Sequence, residues 1–239
     1  MGHTKIIMNN DVTIIYCSSN KEMPEFEQRI RDNVLKVTDL PIISVTQKPI
    51  DFGTNICVGE DVGVSGFNFF RQSLIACQAA TTKFVISVEA DCLYPPDYFT
   101  WIPPKEDVCY RNSNLYVMPQ HRSYFWKKPW GATHAQIVGR QFYIDNLERL
   151  FEGEPKWDAT QKNFPKEKFH HKYEDVFPKD KIEFYETENP IVQIKTSQSM
   201  RNYTTSQRIA IYEIPYWGCG GDFRKRYYNI IRDGVKTIH

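Results

Sequence analysis

The sequence predicts an α/β protein with a mostly parallel central sheet flanked by helices, built as one continuous domain. Apolar runs of strand length alternate with stretches of helical periodicity from Val12 to Glu89, the pattern of a parallel sheet with covering helices. Those runs are apolar at nearly every position, as strands buried on both faces are. No internal repeat and no low-complexity linker divides the 239 residues. That length suits one sizeable α/β domain or two small ones.

The elements follow in order. "VTIIYC", Val12 to Cys17, reads as a buried strand ending in the polar turn Ser18-Ser19-Asn20. A helix is expected from Pro24 to Val37, with Phe26, Ile30, Val34 and Val37 at helical spacing. Pro24 suits its first turn. "PIISVTQ" is a second, β-branched strand. The Gly-rich segment "DFGTNICVGEDVGVSG" leads into a second amphipathic helix, about Phe67 to Ala80, with Phe67, Phe70, Leu74 and Cys77 as its apolar seam. "KFVISVEAD" is the next buried strand. Beyond residue 100 the periodicity weakens and aromatics are dense. There "VCYRNSNLYVMP" reads as strand material and "RQFYIDNLERLFEG" as a helix stopped by Gly153. Glu154 to Lys181 reads as a long loop over the site, "IVQIKT" as a late strand, and the tail as a Gly cluster followed by a basic helix.

Composition is ordinary for a globular chain, 41% hydrophobic and 25% charged. No run approaches the roughly 18 to 20 apolar residues of a membrane span, and the start carries no signal-length h-region. A cytoplasmic protein is expected, in a cell or a phage-infected host. Thirty basic and 29 acidic residues leave a net charge of +1, so any case for a nucleic-acid or membrane partner has to be local. The six cysteines are scattered without a C-x-x-C pair. That fits neither a zinc site nor a disulfide framework, and buried thiols are the plain reading.

The apolar run Phe84 to Val88 ends in two carboxylates one residue apart, Glu89 and Asp91. Unpaired acids at that spacing repel each other, so either the chain turns into water there or a cation sits between them. In parallel sheets, ligands bind outside the carboxyl ends of the strands. Ser18-Ser19-Asn20 and Glu89-Ala90-Asp91 both fall at such ends, which favours the cation. No G-x-x-x-x-G-K-[ST] loop, no G-x-G-x-x-G after the first strand and no G-x-S-x-G elbow occurs. P-loop, ordinary dinucleotide and serine-hydrolase chemistry are thereby set aside.

Together these residues resemble the GT-A-fold glycosyltransferases, a Rossmann-like group, and especially glycosyltransferase family 2. The likeness rests on the turn after the first strand, on "VGVSGFNFFRQSLIACQAATTKFVISVEAD", and on Glu89-Ala90-Asp91 in the place of a D-x-D-type motif. It covers about residues 12 to 99. The resemblance implies one GT-A-like domain over residues 1–239, with a nucleotide-sugar-binding half (about 1–118) and an acceptor-binding half (about 119–239). It implies that Ser18, Ser19 and Asn20 hold the nucleoside of the donor, a UDP-sugar. Gly63, Ser65 and Arg71 would lie along that donor, and Lys195, Arg201 and Trp217 over its diphosphate. Asp91, with Glu89, would bind Mn²⁺ or Mg²⁺, or Glu89 would face the sugar or ribose while Asp91 alone touches the metal. The chemistry agrees, since a departing nucleoside diphosphate gathers charge that a cation stabilises, and hard carboxylate oxygens suit these ions.

Transfer of a hexose or pentose with inversion needs a carboxylate to take the acceptor's proton. Asp158 in "GEPKWDAT" is preferred, after a helix stop and beside Trp157; Asp145, Glu154, Glu174, Asp175, Glu188 and Asp222 are other candidates. "WGATHAQIVGR", Trp130 to Arg140, is similar to the family segment below the acceptor, where Gly131 permits close approach. "RSYFWKKPW" and "FRKRYY" interleave cations with rings, as nucleic-acid grooves do. These clusters and the small size also resemble phage-type glycosyltransferases that act on hydroxymethylated pyrimidines in DNA. On that reading Arg122, Lys127, Lys128 and Arg224 to Arg226 meet phosphates, while Trp126, Trp130 and Tyr227 support the base. A glycan- or small-molecule-directed family 2-type enzyme and a non-catalytic nucleic-acid-binding protein are the alternatives. A nucleic-acid-binding protein gives no reason for two acids at the end of a buried strand.

Overall fold

The computed structural model describes residues 11–160, 176–199 and 208–228. Its elements are β1 (Val12–Ser18), α1 (Pro24–Val37), β2 (Ile42–Thr46), β3 (Thr54–Cys57), α2 (Gly66–Ala79), β4 (Phe84–Glu89) and β5 (Cys92–Leu93). There follow β6 (Cys109–Asn112), β7 (Leu115–Pro119), β8 (Trp126–Lys127), β9 (Gln136–Gly139) and α3 (Arg140–Phe151). The later part supplies β10 (Ile182–Tyr185), β11 (Ile191–Lys195), the short pair β12 (Glu213–Ile214) and β13 (Gly218–Cys219), and α4 (Gly220–Tyr227).

The central sheet has the order β10-β6-β9-β4-β1-β2-β3. Among its strands β9 alone runs against the rest, antiparallel to both β4 and β6. A second sheet, β5-β11-β7-β8, lies on the α1 side. The expected mostly parallel sheet is therefore present, with helices on both faces. α1 is a stripe of Phe26, Ile30 and Val34, all fully buried. α2 starts at Ser65, whose Oγ accepts from the Asn68 N–H at 3.0 Å, an N-cap that satisfies one orphan donor. It buries Phe67, Leu74 and Cys77 against β1, β2 and α3.

Alternation fixes which side chains share a face. Ile14, Tyr16, Ile86 and Val88 point to the α1 side, while Ile15, Cys17, Val85, Cys109 and Val138 point to the α2–α3 side. Three features depart from the expected plan. The Gly-rich segment contains an edge strand, β3, paired only along β2. "VCYRNSNLYVMP" is two strands in two different sheets, because Asn112 turns the chain by accepting from the Asn114 N–H at 2.8 Å. β10 closes the far edge of the sheet from a stretch with no strand pattern. Among the described residues no helix is long and apolar enough to cross a membrane.

Candidate functional site

β1 and β4 are parallel neighbours whose ladder runs from Val12↔Phe84 to Cys17↔Glu89. The turns that follow them, Ser18 to Asn20 and Glu89 to Asp91, therefore leave adjacent strands on one edge. That is where an open parallel sheet binds ligands. The first turn is held from beneath by Glu27, which is 3% exposed. Its carboxylate accepts from Ser18 Oγ, from Tyr16 OH at 3.1 Å and from Asn20 Nδ2 at 3.4 Å. Arg31 supplies the countercharge 3.6 Å away. Asn20 takes φ +53, a left-handed conformation that asparagine tolerates, and its Oδ1 accepts from the Lys48 N–H at 2.8 Å. Ser19 stands between these two fixed residues.

The second turn is pinned as firmly. The Glu89 N–H donates to Tyr94 OH at 3.0 Å, and that hydroxyl donates to the His134 carbonyl at 2.7 Å. Asp91 is 9% exposed. Its Oδ2 accepts from Gln193 Nε2 at 2.9 Å and its Oδ1 from Cys92 Sγ at 3.2 Å. Burial pushes the Glu89 carboxyl well above the usual carboxylate range, and the charge of Asp91 pushes it further; Lys195 and Lys128 oppose both.

Lys128, just past β8, is buried, and burial brings its ammonium down to about 8 against the pull of Cys92 and Glu89. His134 is held well below its ordinary value by burial and then by the two lysines. Glu22 joins the rim. Its Oε1 accepts from Thr196 Oγ1 at 2.6 Å, and burial raises its carboxyl to about 7, with Asp91 adding to the rise. Two acids and two lysines thus share one electrostatic site, with Glu22 beside it. Glu22 gave no functional signal in the sequence, Gln193 only that of a polar residue inside an apolar strand, and Lys128 read there as a surface cation.

The other residues singled out in the sequence fall as follows. The Gly63 carbonyl accepts from Gln47 Nε2 at 2.6 Å and from Asn68 Nδ2 at 3.1 Å, and Ser65 caps α2. Both lie against the turn that carries Asp158. Ser65 Oγ donates to the Asp158 carbonyl at 2.6 Å, and the Asp158 N–H donates to Asn68 Oδ1 at 2.9 Å. The Asp158 carboxylate closes its own turn by accepting from Thr160 N and Oγ1 at 2.8 and 2.7 Å. Arg71 packs 3.6 Å over the Phe151 ring and donates to the Pro155 and Lys156 carbonyls.

Trp217 is a core residue, 6% exposed, with Nε1 donating to the Pro190 carbonyl at 2.6 Å. Trp126 is likewise interior, under the guanidinium of Arg208. Arg122, Lys127 and Trp130 are exposed, and Gly131 lies against Arg111 and Phe184. Arg201, Glu174 and Asp175 lie outside the described residues. A groove of about 660 Å³ between α2 and α3 is lined by Arg71, Leu74, Phe151 and Lys156 and includes none of the acid-pair residues.

Among the described residues no group of three or more His, Cys, Asp or Glu side chains is arranged to hold a metal ion. An all-protein cage is thus absent from that part of the chain. Two carboxylates fit a different arrangement, an Mg²⁺-like ion that takes one or two protein carboxylates and completes its shell with substrate phosphates and water. Asp91 suits it, because its hydrogen bonds leave lone pairs on both oxygens.

No family model and no curated protein matches the sequence. Among solved structures the chain is similar to a glycosyltransferase involved in the glycosylation of the major capsid of PBCV-1. The identity is 16% over 76% of this chain and 92% of that one, with a TM-score of 0.43. It is also similar to residues 1–349 of Staphylococcus aureus TarS, at 10% identity over 77% of this chain and 60% of that one, TM-score 0.45. The complex of that segment with UDP-GlcNAc gives 10% identity, 80% and 60% coverage, and a TM-score of 0.43. Likenesses at this level leave the function to be argued from the residues.

Proposed function

We propose that the chain is a glycosyltransferase that moves a sugar from a nucleotide sugar, a UDP-sugar first among them, to an acceptor hydroxyl. The observation that carries this reading is the shared edge, where a rigid polar turn after β1 adjoins two carboxylates and two lysines at the end of β4. A nucleotide sugar needs those parts in that order. The Ser18–Asn20 turn takes the nucleoside. Lys128 and Lys195 meet the diphosphate, in surroundings where burial makes each charge count for more than it does in water. A divalent cation held by Asp91 and Glu89 would neutralise the leaving diphosphate as a Lewis acid.

In the transfer, the acceptor oxygen forms its bond to the anomeric carbon as the bond from that carbon to the phosphate oxygen breaks. The electron pair leaves on the nucleoside diphosphate. The acceptor's proton passes to a carboxylate, for which Asp158 is proposed: its turn already presents the group as a fixed acceptor. DNA as acceptor draws on the exposed Arg122, Lys127, Lys225 and Arg226; Trp126 and Lys128 are too deep to serve it.

The reading is tested with UDP-, GDP-, dTDP- and CMP-sugars, with and without Mn²⁺, by following donor hydrolysis and the melting temperature. A ligand that binds only the folded chain raises the midpoint by mass action. Expected is one nucleotide class that does both. Absence of binding and of hydrolysis across the panel removes the reading.

A further inference from the structure

Two large rings stand in water on the ligand edge. Trp130 is 65% exposed and Phe184 is 59% exposed. A lone exposed ring is ordinary; these two flank one glycine. A Cβ on Gly131 would come within 2.7 Å of Arg111 Cβ and 3.0 Å of Phe184 Cε1. Only a bare backbone lets the chain lie on Phe184 with Trp130 as the preceding residue.

Their place relative to the acid pair follows from register. Phe184 pairs with Arg111, and Arg111 with Gln136. Arg111 and Gln136 are each two residues from Cys109 and Val138, and Glu89 is four from Val85, so all three face the α2–α3 side. Ile182, two residues before Phe184, packs against that same core. Phe184 therefore shares the face of Glu89. β10 is three strands from β4, and Glu89 lies a few residues nearer the edge, which puts the rings roughly 15 Å from the acids at 4.8 Å per strand. That is the reach of a short oligosaccharide.

Charge then separates the candidates. Three cations around β10 are matched by acids: Lys127 with Glu186 at 4.0 Å, Lys105 with Glu183 at 3.0 Å, and Lys181 with Asp107. Arg111 beneath Gly131 is buried and donates to Gln136 Oε1. A phosphate backbone needs uncompensated cations, whereas a neutral sugar ring needs a flat apolar surface for its C–H face with polar groups at the rim.

We propose that Trp130 and Phe184 form the acceptor platform and that the acceptor is a saccharide, seated by a neutral sugar ring with its reacting hydroxyl toward Glu89 and Asp91. This rests on the glycosyltransferase reading. The test is saturation-transfer NMR of the full chain with methyl glycosides of glucose, galactose, mannose and N-acetylglucosamine. A short hydroxymethylcytosine duplex and UDP-GlcNAc are read alongside. The expected result is saccharide contact weakened about tenfold or more in Trp130→Ala and in Phe184→Ala, and retained in Leu35→Ala, a change at an exposed position on α1. Saccharide contact absent from the wild type, or as strong in both ring variants as in the wild type, overturns the platform. So does duplex contact that is lost with Trp130 while saccharides show none. Nucleotide contact is scored separately, together with the donor panel, so failure of the donor reading is distinguishable from failure of the platform.

Discussion

Gln193 donates from Nε2 to Asp91 Oδ2 at 2.9 Å across 102 positions of sequence, and the next residue, Ile194, donates its N–H to the Asp91 carbonyl at 2.8 Å. β11 thus grips both the backbone and the carboxylate of the residue proposed to meet the cation. Gln193 is 5% exposed and its Oε1 has no partner, so the amide is not there for its own satisfaction. Gln193→Met fills a similar volume and removes the donor. Outer-shell losses of this kind typically cost 10- to 100-fold in metal affinity. About tenfold weaker nucleotide-sugar binding in Mn²⁺, measured by calorimetry, is expected. Gln193→Glu, which sets a like charge beside Asp91, should bind more weakly still. Equal affinities in all three proteins would detach Gln193 from the site.

Asp91→Asn keeps the shape and can still accept from Gln193, but removes the charge. Turnover should fall about 100-fold or more, with the circular dichroism spectrum unchanged. Because Asp91 helps raise the Glu89 carboxyl, that group should also become more acidic in the variant. Turnover like wild type would show that the cation reading is misplaced.

Asp158→Asn separates chemistry from binding. An asparagine oxygen can accept both Thr160 bonds, so the turn persists while the base is gone. General-base losses run to about 100- to 10,000-fold. The drop should appear in kcat with donor affinity little changed. An unaltered rate moves the role to Glu154, Glu188 or another acid.

The edge that joins Ser18–Asn20 to Glu89–Asp91 was legible because β1, α1, α2 and β4 carry clean periodicity and follow one another closely. The rest of the site was not, since it is gathered from far along the chain. Lys128 sits in "RSYFWKKPW", a run that reads as solvated surface; its burial comes from the β7–β8 hairpin, which has no turn signature. Trp126 and Trp217 look like stacking rings in a linear reading, yet both are buried, and Trp217 fills the core between α1, α4 and the second sheet. Gln193 offered one local clue, a polar residue inside the apolar strand "IVQIKT", where a buried amide needs a reason. β3 was hidden by the glycines around it.

Glu22 makes the stability pH-dependent in a definite direction. Its carboxyl is raised from 4.5 to about 7, so the folded chain holds this proton more tightly than the unfolded one. Its contribution is present below about pH 4.5 and is lost as pH rises through about 7. Glu22→Gln removes the titration and keeps an acceptor for Thr196. Discounted for partial exposure, the effect is about 1 kcal/mol, or roughly 3 °C in a chain of this size. The variant should melt higher than wild type at pH 8 and show a flatter profile between pH 4.5 and 7. Parallel profiles would mean that Glu22 titrates normally.

Lys128 offers the sharpest test, because its effects on folding and on binding should have opposite signs. The residue is 7% exposed and its ammonium is depressed from 10.5 to about 8, first by burial. The folded chain therefore binds this proton less tightly than the unfolded one, and the charge opposes folding below about pH 8. That opposition is relieved only as pH climbs from about 8 toward 10.5. Lys128→Met preserves the length and apolar volume of the side chain. It should melt no lower than wild type at pH 7. The same change strips the proposed diphosphate site of a buried cation, and truncating one partner of such a pair costs about 2 kcal/mol or more, near thirtyfold in affinity. The loss should persist in moderate salt, since buried charges are poorly screened. A chain kept from its most stable state by a group that binds substrate is the usual trade between stability and activity. If Lys128→Met melts lower and binds nucleotide sugar as well as wild type, then Lys128 is a structural partner of Glu89 and Asp91, and the diphosphate must be met by other cations.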